Sequence, residues 1–181
     1  MRRIHMNNLT DIKGVAILAF AAILLFFAIV GASKADTAIN GNVQSRCVIS
    51  TDTEGTFGNP NAYTLDTATT NGGELAVTRF DITLADAYYA QITAPSSFSS
   101  SPSLTDVVTW TGETTVKAVS DATGMADYET NKIETGYVDK YDMTATGSTW
   151  FKTQSKAVMG GSKAFAGGAY TALVLAECIA Q

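Results

Sequence analysis

The chain has 181 residues, 12 of them basic and 17 acidic, and its formal net charge is −5. The acidic balance argues against nucleic acid as a partner, because phosphate binding needs clustered cations. The single histidine, His5, lies in a segment that we expect to be removed, which eliminates Ser-His-Asp and Cys-His catalysis and most zinc sites. We therefore expect a protein that is not an enzyme, with no catalytic residues, no metal site and no cofactor.

Residues 1–35 are typical of a secretory signal peptide. A basic start precedes 19 uncharged residues at 14–32, and Ser33 and Ala35 then place small side chains three and one positions before Asp36. A basic region, an apolar region and a small-x-small site in this order indicate a cleavable signal. An apolar run of this length can also span a bilayer, so a retained single-pass anchor is the alternative. The positive charge precedes the run, so we expect export in either case, with no stable membrane anchor after cleavage.

The remaining 146 residues are more acidic than the whole chain. Four of the basic residues and one of the acidic residues lie in 1–35, which leaves 8 basic and 16 acidic side chains and a net charge of −8. This composition suits a soluble surface protein. Two cysteines remain, and in an oxidising compartment Cys47 and Cys178 predict one disulfide between the start and the end of the domain. Two free, buried thiols are the alternative.

Short alternating runs of β-branched and aromatic residues predict an all-β domain over residues 47–181, with seven or eight strands. The expected strands lie near residues 37–49, 76–84, 88–92, 107–110, 114–119, 137–145, 149–158 and 169–179. Thr111-Gly112 is interpreted as a turn between two of them, and a short helix is expected around Met125–Thr130. Their number and spacing favour a β-sandwich.

Two groups of side chains have the chemistry for ligand binding, and we expect a structural role for both. The acidic pairs lack the spacing of a calcium loop, so solvated carboxylates are expected. They are Asp139 with Asp142 and Asp121 with Asp127. Four aromatic residues would suit a sugar-binding face, but such side chains more commonly fill the core or the rim of a sandwich. They are Tyr88, Tyr89, Trp110 and Trp150.

Residues 36–46 form a strand-like arm directly after the predicted cleavage site. Ile39, Gly41 and Val43 alternate with other residues, and the glycine stands where a strand normally carries a side chain. As the first strand of its own sheet, this arm would be ordinary. As a free arm, it has the form of a peptide that pairs with an open sheet edge, where alternate side chains fill pockets.

Short motifs follow one another along the chain in a recognisable order. After the signal and the arm come Ser45-Arg46-Cys47-Val48-Ile49, a turn with Phe57-Gly58, many short strands, and Ala166-Gly167-Gly168-Ala169-Tyr170-Thr171-Ala172 before a terminal strand. This order resembles pilin subunits of the chaperone–usher type, in particular the archaic, spore-coat-U-like group. The resemblance covers most of residues 36–181.

The resemblance implies an immunoglobulin-like β-sandwich that lacks its final strand. In that family a periplasmic chaperone fills the gap first, and in the fibre the arm of the next subunit replaces it. Carried over by position, the donor-strand residues are Thr37, Ile39, Gly41 and Val43. The residues at the edge of the acceptor groove are Tyr170, Ala172, Val174 and Ala176. The chain departs from the family in one respect, because the pilin disulfide usually joins the first two strands, whereas Cys178 lies in the last.

The expected function is therefore that of a structural subunit of a secreted pilus or fimbria, assembled by donor-strand complementation. The expected partners are other copies of the chain or related pilins, a periplasmic chaperone and an outer-membrane usher. The expected location is the periplasm during assembly and then the cell surface. The alternative is a monomeric extracellular or membrane-anchored β-sandwich for adhesion or carbohydrate recognition, with residues 36–46 paired inside their own domain.

Overall fold

A computed structural model of the protein describes residues 46–181. The predicted signal peptide, residues 1–35, lies outside the described residues, and so do Thr37, Ile39, Gly41 and Val43 of the predicted arm. Within residues 46–181, no helix is long and apolar enough to cross a membrane.

Nearly all the regular structure in the described residues is strand. In chain order the strands are β1 (Cys47–Thr53), β2 (Gly58–Asn61), β3 (Thr64–Asp66), β4 (Ala76–Ile82), β5 (Tyr88–Thr93), β6 (Val108–Val119), β7 (Ile133–Thr135), β8 (Val138–Asp142), β9 (Gly147–Met159) and β10 (Leu175–Ala180). Two short 3₁₀ turns cover Thr69–Asn71 and Gly160–Ser162. The prediction of an all-β domain is confirmed.

The strands form two antiparallel sheets. In sheet I the central strand β9 pairs on one side with β6, and on the other side first with β4 and then with β3. Strand β1 flanks β4, and β2 flanks β3. Sheet II has the order β10-β5-β8-β7. Strand β1 therefore begins sheet I at one edge, while the last strand, β10, is an edge of sheet II.

A hydrophobic core between the sheets holds them together. Phe80 and Phe151 of sheet I are fully buried with their rings 5.5 Å apart, and Tyr141 of sheet II lies 4.4 Å from the Phe151 ring. With Ile92 and the neighbouring apolar side chains they form the first cluster. Each such side chain contributes roughly 1.5–3 kcal/mol by leaving water. This packing of two sheet faces is that of a β-sandwich.

A second, smaller cluster lies towards the other end of β9. It contains Leu65, Trp110 and Ala157, which are buried, and partly buried aromatic side chains pack on it. The Phe98 ring lies 4.7 Å from Trp110 and 5.1 Å from Tyr170. The second cluster thus anchors the segment that precedes β10.

The expected turn at Thr111-Gly112 is wrong, because β6 is one continuous strand paired with β9 along its length. Gly112 packs closely against Ala94 instead of forming a turn. A Cβ atom there would lie 2.5 Å from the Cβ of Ala94. The glycine therefore permits a close approach between β6 and the chain after β5, which periodicity alone does not distinguish from a turn.

Two further elements differ from the predictions. Residues 122–131 form successive turns instead of a helix, although Met125 and Tyr128 from this stretch are buried in the first cluster. The predicted terminal strand over 169–179 is regular only from Leu175, and before it Thr171 makes an isolated bridge with Ser100. The alternation is nevertheless present, since the even-numbered residues from 172 to 178 are the more buried ones.

Candidate functional site

A disulfide joins Cys47 in β1 to Cys178 in β10, with the two Cα atoms 6.3 Å apart. This confirms the predicted pairing of the two cysteines. Both residues are partly buried against the first cluster. The bond therefore ties an edge of sheet I to an edge of sheet II at one end of the sandwich.

Strand β1 has an unpaired edge on the side away from β4. The Thr83 amide donates to the Arg46 carbonyl at 3.1 Å, so Arg46 and Thr83 are a hydrogen-bonded pair of the antiparallel ladder. Such pairs alternate along an antiparallel ladder, so the main-chain groups of Cys47 and Ile49 point away from β4. Within residues 46–181, no hydrogen bond reaches these outward groups.

Strand β10 has a matching unpaired edge. The Gln181 amide donates to the Ala87 carbonyl at 3.1 Å, which sets the phase of the β5–β10 ladder. By the same alternation, the main-chain groups of Ala176 and Cys178 point away from β5. The described part of the chain places no ladder between β1 and β10, so two open strand edges border the same side of the sandwich.

A groove lies between these two edges. We call it the lateral groove; its sides are residues 51–57 after β1 begins and residues 168–174 before β10. Two adjoining cavities occupy it, of about 390 Å³ and about 370 Å³, and they share Gly55, Phe57, Thr171 and Ala172 in their walls. Gly55 lets the first side pass close to β4, since a Cβ there would lie 2.9 Å from the Ala76 nitrogen.

The groove has a closed end and an open end. A strand inserted between two others needs them about 9.5 Å apart, twice the usual spacing of neighbouring strands. At the disulfide the Cα atoms of Cys47 and Cys178 are only 6.3 Å apart, which leaves no room for a strand. The far end, near Gly168 and Leu65, has no such clamp. Any extended peptide that enters the groove must therefore lie between its open end and the disulfide.

The two cavities differ in chemistry. The one at the open end is walled by Phe57, Leu65 and Tyr170, and we call it the aromatic pocket. The one nearer the disulfide contains Val174 together with several hydroxyl side chains, and we call it the hydroxyl pocket. Its hydroxyl residues are Thr51, Thr67, Thr78, Thr153 and Ser155.

Most hydroxyls beside this pocket are satisfied within the protein. Thr67 Oγ accepts a hydrogen bond from the Ser155 amide at 2.8 Å, and the Thr153 hydroxyl lies 3.0 Å from that of Thr114. Ser155 is different, because it is only 2% exposed and its Oγ has no hydrogen-bond partner among the described residues. A buried hydroxyl without a partner costs roughly 1–3 kcal/mol, and Ser155 is one of the wall residues of the hydroxyl pocket.

The edge of β6 contrasts with those of β1 and β10, because side chains cover it. The Thr114 amide donates to Asp139 at 2.6 Å and the Val116 amide to Glu129 at 2.6 Å. The Thr114 carbonyl accepts from the Tyr141 hydroxyl at 2.7 Å. Such cover prevents another strand from pairing with the edge. The remaining edges are also poor templates, since β2 and β7 have four and three residues and β2 contains Pro60.

The charged groups over β6 have shifted pKa values that reflect this cover. Burial raises the pKa of Asp139, and the hydrogen bond from Thr114 only partly offsets that effect. Burial would lower the pKa of Lys132, but its hydrogen bonds to three glutamates outweigh burial and raise it. Those partners are Glu134, Glu129 and Glu113, at 2.7, 3.2 and 3.2 Å. We assign this cluster a structural role in closing the β6 edge.

Three of the four predicted groove-edge residues line the lateral groove. Tyr170 borders the aromatic pocket, Val174 the hydroxyl pocket, and Ala172 both. Ala176 lies beyond the cavities and packs on the first cluster. The sequence analysis did not identify Thr153 and Ser155 as groove residues. They could have been found as two polar residues at inward positions of the alternating strand β9.

The structure does not bring the other candidate side chains together as a site. Trp110 belongs to the second cluster and Tyr88 packs on the first, while Tyr89 lies under the Lys140 amine at 3.7 Å from its ring centre. Asp139 binds the Thr114 amide, and Asp121 accepts from the amides of a local turn, which lowers its pKa. Residues 46–181 contain no group of three or more histidine, cysteine or acidic residues arranged to hold a metal ion.

Comparison with known proteins adds no assignment to this geometry. No protein-family model matches the chain, and neither a curated protein nor a solved structure matches it.

Proposed function

We propose that the protein is a structural subunit of an exported surface fibre, in which the N-terminal arm of one copy completes the sandwich of the next. The observation that carries this proposal is the pair of unpaired edges, β1 and β10, which lead away from the disulfide into the two sides of the lateral groove. Exposed, long strand edges promote association unless they are covered. Side chains cover the edge of β6, so among the longer edge strands of residues 46–181 it is β1 and β10 that stay open.

The length of the groove supports the arm as its occupant. Its second side, residues 168–174, is seven residues long, which corresponds to about 23 Å of extended chain at about 3.3 Å per residue. The predicted donor residues span Thr37 to Val43, which is also seven residues. Apolar side chains at every second position of the arm suit a strand with one face in the groove.

The position of Arg46 supports insertion into a second copy over insertion into the same copy. Arg46 still continues the line of β1 past the disulfide, since its amide donates to the Thr83 hydroxyl at 2.9 Å. The arm thus joins the domain at the closed end of its own lateral groove. Filling that groove would require the chain to reverse direction beside Cys47, whereas a neighbouring groove needs only an extended chain.

The remaining parts of the proposal rest on the same open edges and on the sequence of residues 1–46. An uncovered groove in a monomer would aggregate, so such a subunit needs a periplasmic chaperone until it is assembled through an outer-membrane usher. The proposed donor residues are Thr37, Ile39, Gly41 and Val43. We propose the immunoglobulin-like, one-strand-short sandwich as the fold, residues 1–35 as the signal peptide, and the cell surface as the final location.

The first test changes one face of the arm without shortening it. The variant Ile39→Asp with Val43→Asp should stay monomeric or chaperone-bound, because insertion would bury two carboxylates and the cavity walls contain no lysine or arginine to pair with them. The matched control, Asn40→Asp with Asn42→Asp, adds the same charge to the other face and should polymerise like the wild type. Electron microscopy and size-exclusion chromatography of the exported protein distinguish these results. Normal fibres from the first variant would end the proposal.

The second test measures the strand edges directly. Hydrogen exchange at the amides of Thr51, Ala172 and Val174, which border the hydroxyl pocket, should be fast in the non-polymerising variant and strongly slowed in the assembled protein. The amide of Thr114, which already donates to Asp139, serves as the internal control and should be protected in both. If the amides of Thr51, Ala172 and Val174 are protected in a monomer, the arm fills its own groove, and the protein is a self-contained binding module.

A further inference from the structure

The hydroxyl pocket brings buried hydroxyl side chains to a groove whose walls also contain apolar residues. It separates the first cluster from the second, so the interior of the sandwich is interrupted by a layer of threonine and serine. A cavity of about 370 Å³ is large enough to admit a side chain from outside. The buried Oγ of Ser155 is the one side-chain N or O atom in the described chain that is both buried and without a partner.

The direction of an inserted arm follows from the shape of the groove. The arm continues into the body of the donor copy after Arg46, and a second body cannot lie beyond the end that the disulfide closes. The donor body therefore lies at the open end, and the beginning of the arm reaches towards Cys47 and Cys178. Read in that direction, the arm presents Thr37 first and Ile39 next.

In this direction Thr37 is the first arm residue to meet the hydroxyl pocket. The pocket nearer the disulfide is lined by hydroxyls, and Thr37 is the one hydroxyl residue among Thr37, Ile39, Gly41 and Val43. Ile39 comes next and lies towards the adjoining pocket, whose walls include Leu65 and Tyr170. A shift of the arm by two residues would place Ile39 over Ser155 and leave that hydroxyl without a partner.

We propose that the Ser155 hydroxyl hydrogen-bonds the Thr37 hydroxyl of a second copy, and that this bond sets the register of the inserted arm. The inference rests on the proposed function, since it names the contact that selects the position of the donor strand. Ser155 is thus a specificity-determining residue of the groove.

The test is a double-mutant cycle with arm peptides. The receptor is the full exported chain carrying Ile39→Asp and Val43→Asp, which keeps its groove but cannot donate its own arm. A fluorescent peptide of residues 36–46 should bind it, and the Thr37→Val peptide should bind about 2- to 10-fold more weakly, as expected for one lost neutral hydrogen bond. The Thr37→Ser peptide should restore binding, and the control Asn42→Val should leave it unchanged.

The decisive comparison uses a receptor that also carries Ser155→Ala. On that receptor the wild-type and Thr37→Val peptides should bind equally well. Two results would overturn the register inference while the proposed function stands. In the first, the Thr37→Val peptide binds the receptor that retains Ser155 as tightly as the wild-type peptide does. In the second, Thr37→Val weakens peptide binding by the same factor on both receptors. If the wild-type peptide binds neither receptor, both the proposed function and this inference fail.

A second measurement does not depend on the folding of the Ser155→Ala receptor. Thr51 is exposed and lines the hydroxyl pocket, so Thr51→Cys provides a thiol for trapping. A peptide with Thr37→Cys should form a disulfide with this receptor faster than a peptide with Val43→Cys. Preferential trapping of Val43→Cys would overturn the proposed direction and register.

Discussion

Replacing both Cys47 and Cys178 by alanine should destabilise the domain strongly while preserving its fold. The bond joins residues 131 positions apart, so it restricts most of the described chain in the unfolded state. Loop-closure entropy for a loop of that length corresponds to about 5 kcal/mol at 25 °C. Removal of native disulfides from small secreted domains costs about 2–5 kcal/mol, so we expect a loss of about 3–5 kcal/mol.

The structure gives a reason to expect the upper part of this range. Strands β1 and β10 share no ladder hydrogen bonds within residues 46–181, so little else holds those two edges together. A single domain has a total stability of about 5–15 kcal/mol, so the variant would lose a large fraction of it.

Urea denaturation followed by tryptophan fluorescence measures the effect, with Trp110 and Trp150 as reporters. The variant should unfold at a much lower urea concentration. The control is the same comparison under reducing conditions, where wild type and variant should be equally stable, because neither then has the bond. A difference under about 1 kcal/mol between oxidised wild type and variant would refute the role assigned to the disulfide.

Three further predictions concern the core and the edge of β6. Phe151→Ala should lower the free energy of unfolding in urea by about 3–5 kcal/mol, because it empties a fully buried site beside Phe80; a loss under 1 kcal/mol would contradict the packing. Gly112→Ala should cost about 1–3 kcal/mol in the same assay through its contact with Ala94, and adding Ala94→Gly should recover most of the loss; no recovery would refute that contact. Burial raises the pKa of Asp139, so the folded state binds the proton of this carboxyl more tightly than the unfolded state does. The contribution of this carboxyl to stability therefore falls as pH rises from about 3.8 through its pKa in the folded state. Urea midpoints across that range should show wild type losing stability relative to Asp139→Asn with rising pH, and the opposite slope would contradict the assignment.

Local patterns in the sequence were sufficient for the class of fold and for the faces of its strands. The alternation from Ala172 to Cys178 placed alternate residues on two faces, and the structure shows which of these faces is the more buried one. The cysteine pair was predicted from the expected compartment, and the structure contains it. The predicted strand boundaries were less accurate, since Thr111-Gly112 was interpreted as a turn but lies inside β6.

The lateral groove could not be predicted from alternation. The sequence by itself determined that this chain forms an all-β domain, that alternate residues of its strands lie on opposite faces, and that two cysteines stand near the ends of that domain. Only the tertiary structure decided which strand edges are covered. The cover over β6 comes from Glu129 and Asp139, which are 13 and 25 residues from the amides that they bind, while no described side chain covers β1 or β10. The physical reason is that alternation is a property of neighbouring residues, whereas a strand edge is covered or left open by residues that only folding brings to it.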